Sequence, residues 1–280
     1  MTFVRRTLDR WLGRWLDRWF LRLAPPPLAA WGKLPTHADY LQYRAGADAA
    51  RDWQAWLGRF APTPRRPAPA GWLQLEPAPP DLQALPVAFV LPPGVLAFAG
   101  RRYVAGVMVP SQDSVGRAHP LIVWRCVDVH WLDAQAVAGL PWWHAQAQLL
   151  ERLALRAAAF DDDGPAAAET RRADSAWDWH RLCDLATQLD AAPPPGAAAL
   201  QRWLAEQLPV PRPSGADAGP PPVPSSHYLH GVRHLPWPQW PGGDHAAARH
   251  AAFWQQDGEG RIVAASASLA GVFRQGRRGR

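Results

Sequence analysis

RYVAGVMVPSQDSVGRAHPLIV, Arg102 to Val123, joins two apolar runs through a polar connection. Residues 102–109 and 120–127 are dense in β-branched and aromatic residues and are bounded by Gly or Pro, which reads as two strands. Between them, Pro110 withholds a ladder donor, Ser111 and Asp113 can bond nearby backbone, and Gly116 can take positive φ. The density of turn chemistry marks a specified loop. Arg117 closes it, placed either to hold a carboxylate or phosphate beside exposed backbone N–H groups, or to pair with Asp113 and fix the loop without binding anything.

Upstream, Gly32-Lys33-Leu34-Pro35 is followed by Asp39 and Tyr40, and Lys33 is the only lysine among 30 basic residues. Lys33 faces the same choice between an anion contact and a structural ion pair, with Asp39 near enough in sequence to share its turn. Strands are expected at residues 86–91 and 94–99 as well, then at 250–255 and 261–265, the last two turned through Asp257-Gly258 as a hairpin. Helical spacing appears at 47–60, where Trp53, Trp56, Leu57 and Phe60 share a face, at 142–160, and at 177–190, where Leu182, Leu185, Ala186 and Leu189 form a stripe. This order predicts an α/β fold, a three-layer sandwich with a mixed sheet flanked by helices on both faces.

The two connectors together resemble the TagF family of type VI secretion accessory proteins, whose members carry a GKLP-x-x-x-D-[FY] opening and a G-V-x-x-P-S-x-D-x-V-G-R-x-x-P-L stretch. The match continues in Pro86 to Leu96 and more faintly in His250 to Gln255, and places a TagF-like α/β domain at residues 31–275. The resemblance implies a bacterial, cytoplasmic, non-catalytic accessory protein that regulates the apparatus after translation through protein contact. It also implies a partner, a forkhead-associated scaffold protein of the same system. Lys33, Asp39, Ser111, Asp113 and Arg117 are then the candidate partner-binding residues, held by Gly32, Pro35, Pro110 and Gly116. Ala38 stands where the family commonly has glycine, Tyr40 where phenylalanine is common, and His119 where another aromatic is typical.

Composition sets the outer bounds. Hydrophobic residues make up 48% of the 280 and charged residues 19%, enough apolar material for a sizeable core. The net charge of +6 would suggest nucleic acid, but its position argues otherwise. Residues 1–23 carry six Arg against two Asp, and residues 274–280 carry four Arg, so the remainder is net −2 once these are subtracted from +6. No nucleic-acid partner is expected. Cys126 and Cys183 are the only cysteines and are expected to be reduced packing residues.

The start of the chain is a basic amphipathic helical arm, residues 1–24. Leu8, Trp11, Leu12, Trp15, Leu16, Trp19 and Leu23 follow helical spacing, with Arg10, Arg14, Arg18 and Arg22 on another stripe. Trp11, Trp15 and Trp19 with Arg14 and Arg18 suit an anionic membrane surface, which would make the protein peripheral at the inner membrane; packing on its own domain or on a partner is the alternative. Pro25-Pro26-Pro27 ends the arm. Proline-rich insertions follow near residues 61–80 and 191–225, the second broken by a short helix around 200–208, and residues 276–280 are a basic tail.

Three chemistries are weighed and set aside. Ser111, Asp113 and His119 supply a nucleophile, an acid and a base, but nearness in sequence does not make a triad and no G-x-S-x-G elbow surrounds Ser111. His227, His230 and His234, with His245 and His250 beyond, have helical spacing for a metal, yet Gly231 and Pro236 interrupt it and no acidic or cysteine ligand joins them. No phosphate-binding loop or dinucleotide fingerprint is present, so no cofactor is expected. An adaptor subunit that helps build the apparatus is the alternative to a repressor, and a Ser111/His119 hydrolase a remoter one.

Overall fold

The computed structural model describes residues 27–34, 37–59, 86–111, 113, 117, 119–159, 167–209 and 250–272. The arm at 1–24, the insertion at 61–80, the part of 191–225 beyond 209, the histidines at 227, 230, 234 and 245, the tail, and Pro35 and Gly116 lie outside the described residues.

Seven strands form one sheet. They are β1 (Ala29–Gly32), β2 (Leu41–Tyr43), β3 (Val87–Leu91), β4 (Tyr103–Val109), β5 (Leu121–Val127), β6 (Ala252–Gln256) and β7 (Ile262–Ser266). Helix α1 (Ala47–Gly58) follows β2; α2 (Val129–Val137), α3 (Pro141–Ala159), α4 (Ala167–Ala191) and α5 (Ala197–Gln207) lie between β5 and β6. The strand order is β2-β1-β5-β4-β3-β6-β7.

The α/β fold is as expected, with helices on both faces, but every pairing is antiparallel, so the sheet is not mixed. The cause is local: β1–β2, β4–β5 and β6–β7 each pair with their sequence neighbour, and the helical segment returns β6 against β3 in antiparallel sense. Following the alternation of direction through the order puts the β1–β2, β4–β5 and β6–β7 connections at one end of the sheet.

Burial on both faces explains why β3, β4 and β5 read as continuous apolar runs. Ala88, Val90, Ala105, Val107 and Val123 face a core with Trp143, Leu149, Leu182, Leu189 and Leu204 of the helical segment. Phe89, Val104, Met108, Ile122 and Trp124 face a second core with Trp53, Trp56 and Leu57 of α1. Each large apolar side chain so buried contributes roughly 1.5–3 kcal/mol. Gly106 makes this layer possible: a Cβ there would lie 2.3 Å from Phe89 Cζ and 2.6 Å from the Val123 carbonyl oxygen.

Some expectations are corrected. Residues 94–99 are not a strand; Ala97–Ala99 is a single 3-10 turn, with Gly94 at φ +85° and Phe98 N donating to Asp52 Oδ2 at 2.7 Å. The segment's apolar residues Leu96 and Ala99 are buried under α1, where they serve packing without a ladder. Strands β1 and β2 and helix α2 were not signalled by periodicity. Asp128 caps α2, its Oδ1 accepting from Trp131 N at 2.9 Å. Helix α4 also begins ten residues earlier than the stripe at 177–190 suggests.

The helical layer is pinned to the sheet by a buried ion pair. Arg125 of β5, 2% exposed, meets Asp190 at the end of α4 with Nη1 to Oδ1 at 2.7 Å and Nη2 to Oδ2 at 3.0 Å. Trp142 Nε1 donates to the same carboxylate at 2.8 Å, and the guanidinium lies 5.1 Å from the Trp131 ring centre. Burial lowers the Arg125 pKa, against the opposing pull of Asp190.

Candidate functional site

The two connectors singled out in the sequence meet at one end of the sheet. Lys33 follows directly on β1, and Ser111, Asp113, Arg117 and His119 lie between β4 and β5. Because β1 and β5 are paired neighbours, the two turns are forced together. Gly32 sits at φ +149°, and a Cβ on it would come within 2.3 Å of the Pro120 carbonyl oxygen, so glycine is needed at the crossing.

Asp113 is the hub, 1% exposed. Its Oδ2 accepts from Lys33 Nζ at 2.7 Å and from Arg117 Nε at 2.6 Å, while its Oδ1 accepts from Arg117 N at 2.8 Å. Asp113 N donates to Arg117 O at 3.1 Å, closing the turn. Ser111 Oγ donates to the Lys33 carbonyl at 2.7 Å, and Arg117 Nη2 to the Ala38 carbonyl at 2.6 Å. The expected partner of Lys33, Asp39, is replaced by Asp113: a one-turn neighbour loses to a residue 80 positions away that the sheet brings beneath the ammonium.

Exposure then divides the candidates. Lys33 is 5% exposed, so it and Asp113 face the interior and position others. Asp39 and Tyr40 are exposed, and the Arg117 side chain keeps 59% of its surface in solvent. Pro110 and Ser111 are half-buried at the rim.

An aromatic box completes the end, and periodicity gave no hint of it. Tyr40 stacks on buried Trp31, centroids 5.0 Å apart and planes 5° off parallel, and His119 meets both edge-on at 4.5 and 4.8 Å. Lys33 Nζ lies 4.8 Å from the Tyr40 ring centre. Tyr40 is the one large apolar side chain exposed among the described residues. The run Trp31 to Tyr40 held the signal, two aromatics at the two ends of a single turn.

His119 is 7% exposed, and its Nδ1 lies 2.8 Å from the Pro120 carbonyl. A carbonyl only accepts, so Nδ1 carries the proton and the tautomer is fixed. Burial first, with Lys33 nearby, moves its pKa from 6.5 down to about 4 against the opposing Pro120 bond. The neutral ring is thus favoured in the folded state. The stability it contributes is complete above pH 6.5 and is lost as the pH falls toward 4, by at most about 3 kcal/mol. His119→Phe should keep the ring contacts and flatten this part of the curve; denaturant unfolding at a series of pH values checks it. Burial shifts His144 in the same direction, so a residual slope stays in the variant.

The hydrogen bonds also dispose of the triad geometry. Ser111 Oγ is committed to a backbone carbonyl, Asp113 to two cations, and His119 Nδ1 to Pro120, so Asp113 does not orient the imidazole toward Ser111. Both thiols are held protonated: burial raises the Cys126 pKa, and burial with Asp184 raises that of Cys183 to about 12. No cluster of three metal-ligating side chains occurs among the described residues.

A second turn repeats the first. In the β6–β7 hairpin, Asp257 N donates to Arg261 O at 3.0 Å, Arg261 N to Asp257 Oδ1 at 2.9 Å, and Arg261 Nε to Asp257 Oδ2 at 2.7 Å. The Asp-x-x-x-Arg staple is therefore a local way of closing a hairpin that this sheet uses twice. The difference is Lys33, which gives the Asp113 carboxylate a second cation.

An antiparallel α/β sandwich whose hairpin end is held by a buried carboxylate is the class of protein that fold and site define. Residues 29–164, just under half of the chain, match the family model described as the TagF N-terminal domain, type VI secretion system-associated, and it is this segment that is similar to the TagF family. Both connectors, the aromatic box and the first five strands fall within that match. Among solved structures, PA0076 from Pseudomonas aeruginosa PAO1 is similar at 17% identity over 89% of this chain and 92% of that one, with a TM-score of 0.38, too distant to carry an argument. No curated protein matches the chain.

Proposed function

We propose that this protein is a non-catalytic accessory component that restrains the type VI secretion apparatus after translation by holding a forkhead-associated scaffold protein away from assembly. The observation that carries this reading is the convergence of the two family connectors into one rigid end, stapled by Asp113 beneath an exposed Tyr40, Asp39 and Arg117. Rigid loops on a packed sheet suit recognition, since side chains already fixed lose little entropy on binding. The chemistry at Ser111, Asp113 and His119 favours docking over turnover. Deleting the gene in the native host should raise secretion; a fall would instead mark an assembly adaptor.

The arm at residues 1–24 belongs to the same proposal, as an anchor that keeps the repressor at an anionic membrane surface from the cytoplasmic side. Its Trp and Arg stripes support this, and among the described residues no helix is long and apolar enough to cross a membrane. Removing residues 1–24 should abolish co-sedimentation with anionic vesicles; equal binding without them ends the idea.

A further inference from the structure

The twin hairpins differ in residual charge, and the difference identifies what docks. At the β6–β7 turn, Arg261 faces two carboxylates, Asp257 at 2.7 Å and Glu259 at 3.3 Å, leaving that turn net negative. At the β4–β5 turn the buried Asp113 carboxylate serves two cations, Lys33 and Arg117, leaving that staple net positive. The surplus resides on Arg117, because Lys33 is enclosed.

The Arg117 guanidinium has five N–H donors, of which Nε is spent on Asp113 and one Nη2 hydrogen on the Ala38 carbonyl. The rest belong to a side chain 59% exposed, locked at two points, and two residues along from its Ala38 contact stands Tyr40. Tyr40 is held by Trp31, His119 and Lys33 with 39% of its own surface open. Tyrosine and arginine are the residue types that dominate binding energy, and both are here in place before any partner arrives.

We infer that Tyr40 and Arg117 form a preassembled two-point anchor for an acidic protein segment, with a partner carboxylate taken by the free edge of the Arg117 guanidinium and an apolar partner side chain laid against the Tyr40 ring. Lys33 and Asp113 are positioning residues for that anchor. Asp39, exposed between the two points, opposes the incoming acid and tunes affinity downward.

The inference rests on the docking reading above, and titration calorimetry of the full chain with the purified forkhead-associated scaffold of its host tests both. Tyr40→Ala and Arg117→Ala should each weaken binding at least tenfold, and Asp39→Asn should tighten it. Arg117→Lys, which keeps a charge beside Asp113 but loses the fork, should also weaken it about tenfold, whereas Tyr40→Phe should bind as the natural chain does; these two guard against misfolding of the alanine variants. Added salt should weaken the natural chain more than Arg117→Ala. If the natural chain binds and Tyr40→Ala and Arg117→Ala bind as tightly, the anchor is wrong while the docking reading stands. Loss of binding on Asp39→Asn would reverse the assigned polarity and overturn it too. If the natural chain does not bind the scaffold, both fall.

Discussion

Asp113→Ala is expected to lower the unfolding free energy by about 3–5 kcal/mol, the range for stripping a buried ion pair of one partner. The carboxylate is the acceptor for Lys33 Nζ, Arg117 Nε and Arg117 N, and alanine would leave the Lys33 ammonium, with 6% of its side chain exposed, against apolar surroundings and the Tyr40 ring. Lys33→Met should cost clearly less, because Asp113 would keep both Arg117 contacts and the buried aliphatic volume is conserved. Changing Lys33 to Glu should be the most damaging of the three, setting two carboxylates against each other in the interior. Urea unfolding of the series measures it, and a loss under about 1 kcal/mol for Asp113→Ala would mean that the hub holds nothing together.

The Arg125–Asp190 pair predicts a loss of the same size far from the docking end. Asp190→Ala leaves a 2%-exposed guanidinium between the Trp131 and Trp142 rings and removes the acceptor of Trp142 Nε1, so about 3–5 kcal/mol should again be lost. Replacing both members, Arg125→Met with Asp190→Leu, should recover most of that, since well-packed apolar side chains avoid the desolvation cost. Scaffold binding by the double variant should be unchanged, because the pair joins α4 to β5 and touches none of Lys33, Asp113, Arg117 or Tyr40. A double variant as unstable as Asp190→Ala would show that the pair itself, and not the orphaned charge, carries the stability.

How much of this was legible in the residues differs by element. β3, β4 and β5 announce themselves because each is buried on both faces and is written as an unbroken apolar run, and Asp257-Gly258 marks its hairpin through turn chemistry. β1 and β2 are four and three residues long, too short for periodicity, and are strands only because β5 offers β1 a ladder and β1 offers one to β2 in turn. The apolar run at 94–99 misleads since burial under α1 needs apolar residues whether or not they pair. At the site, the family pattern pointed to Lys33, Asp113 and Arg117, yet it could not say that Lys33 reaches Asp113 and not Asp39, because that contact is made by strand order. Tyr40, a departure in the pattern at most, turns out to be the exposed ring of the box.

The most direct measurement is amide hydrogen exchange of the full chain with and without saturating scaffold. Slowed exchange confined to residues 37–41 and 110–120, with the β6–β7 turn unaffected, is the predicted result. Protection on the helical face of α4 and α5, or none anywhere, would contradict a docking end built from the two connectors.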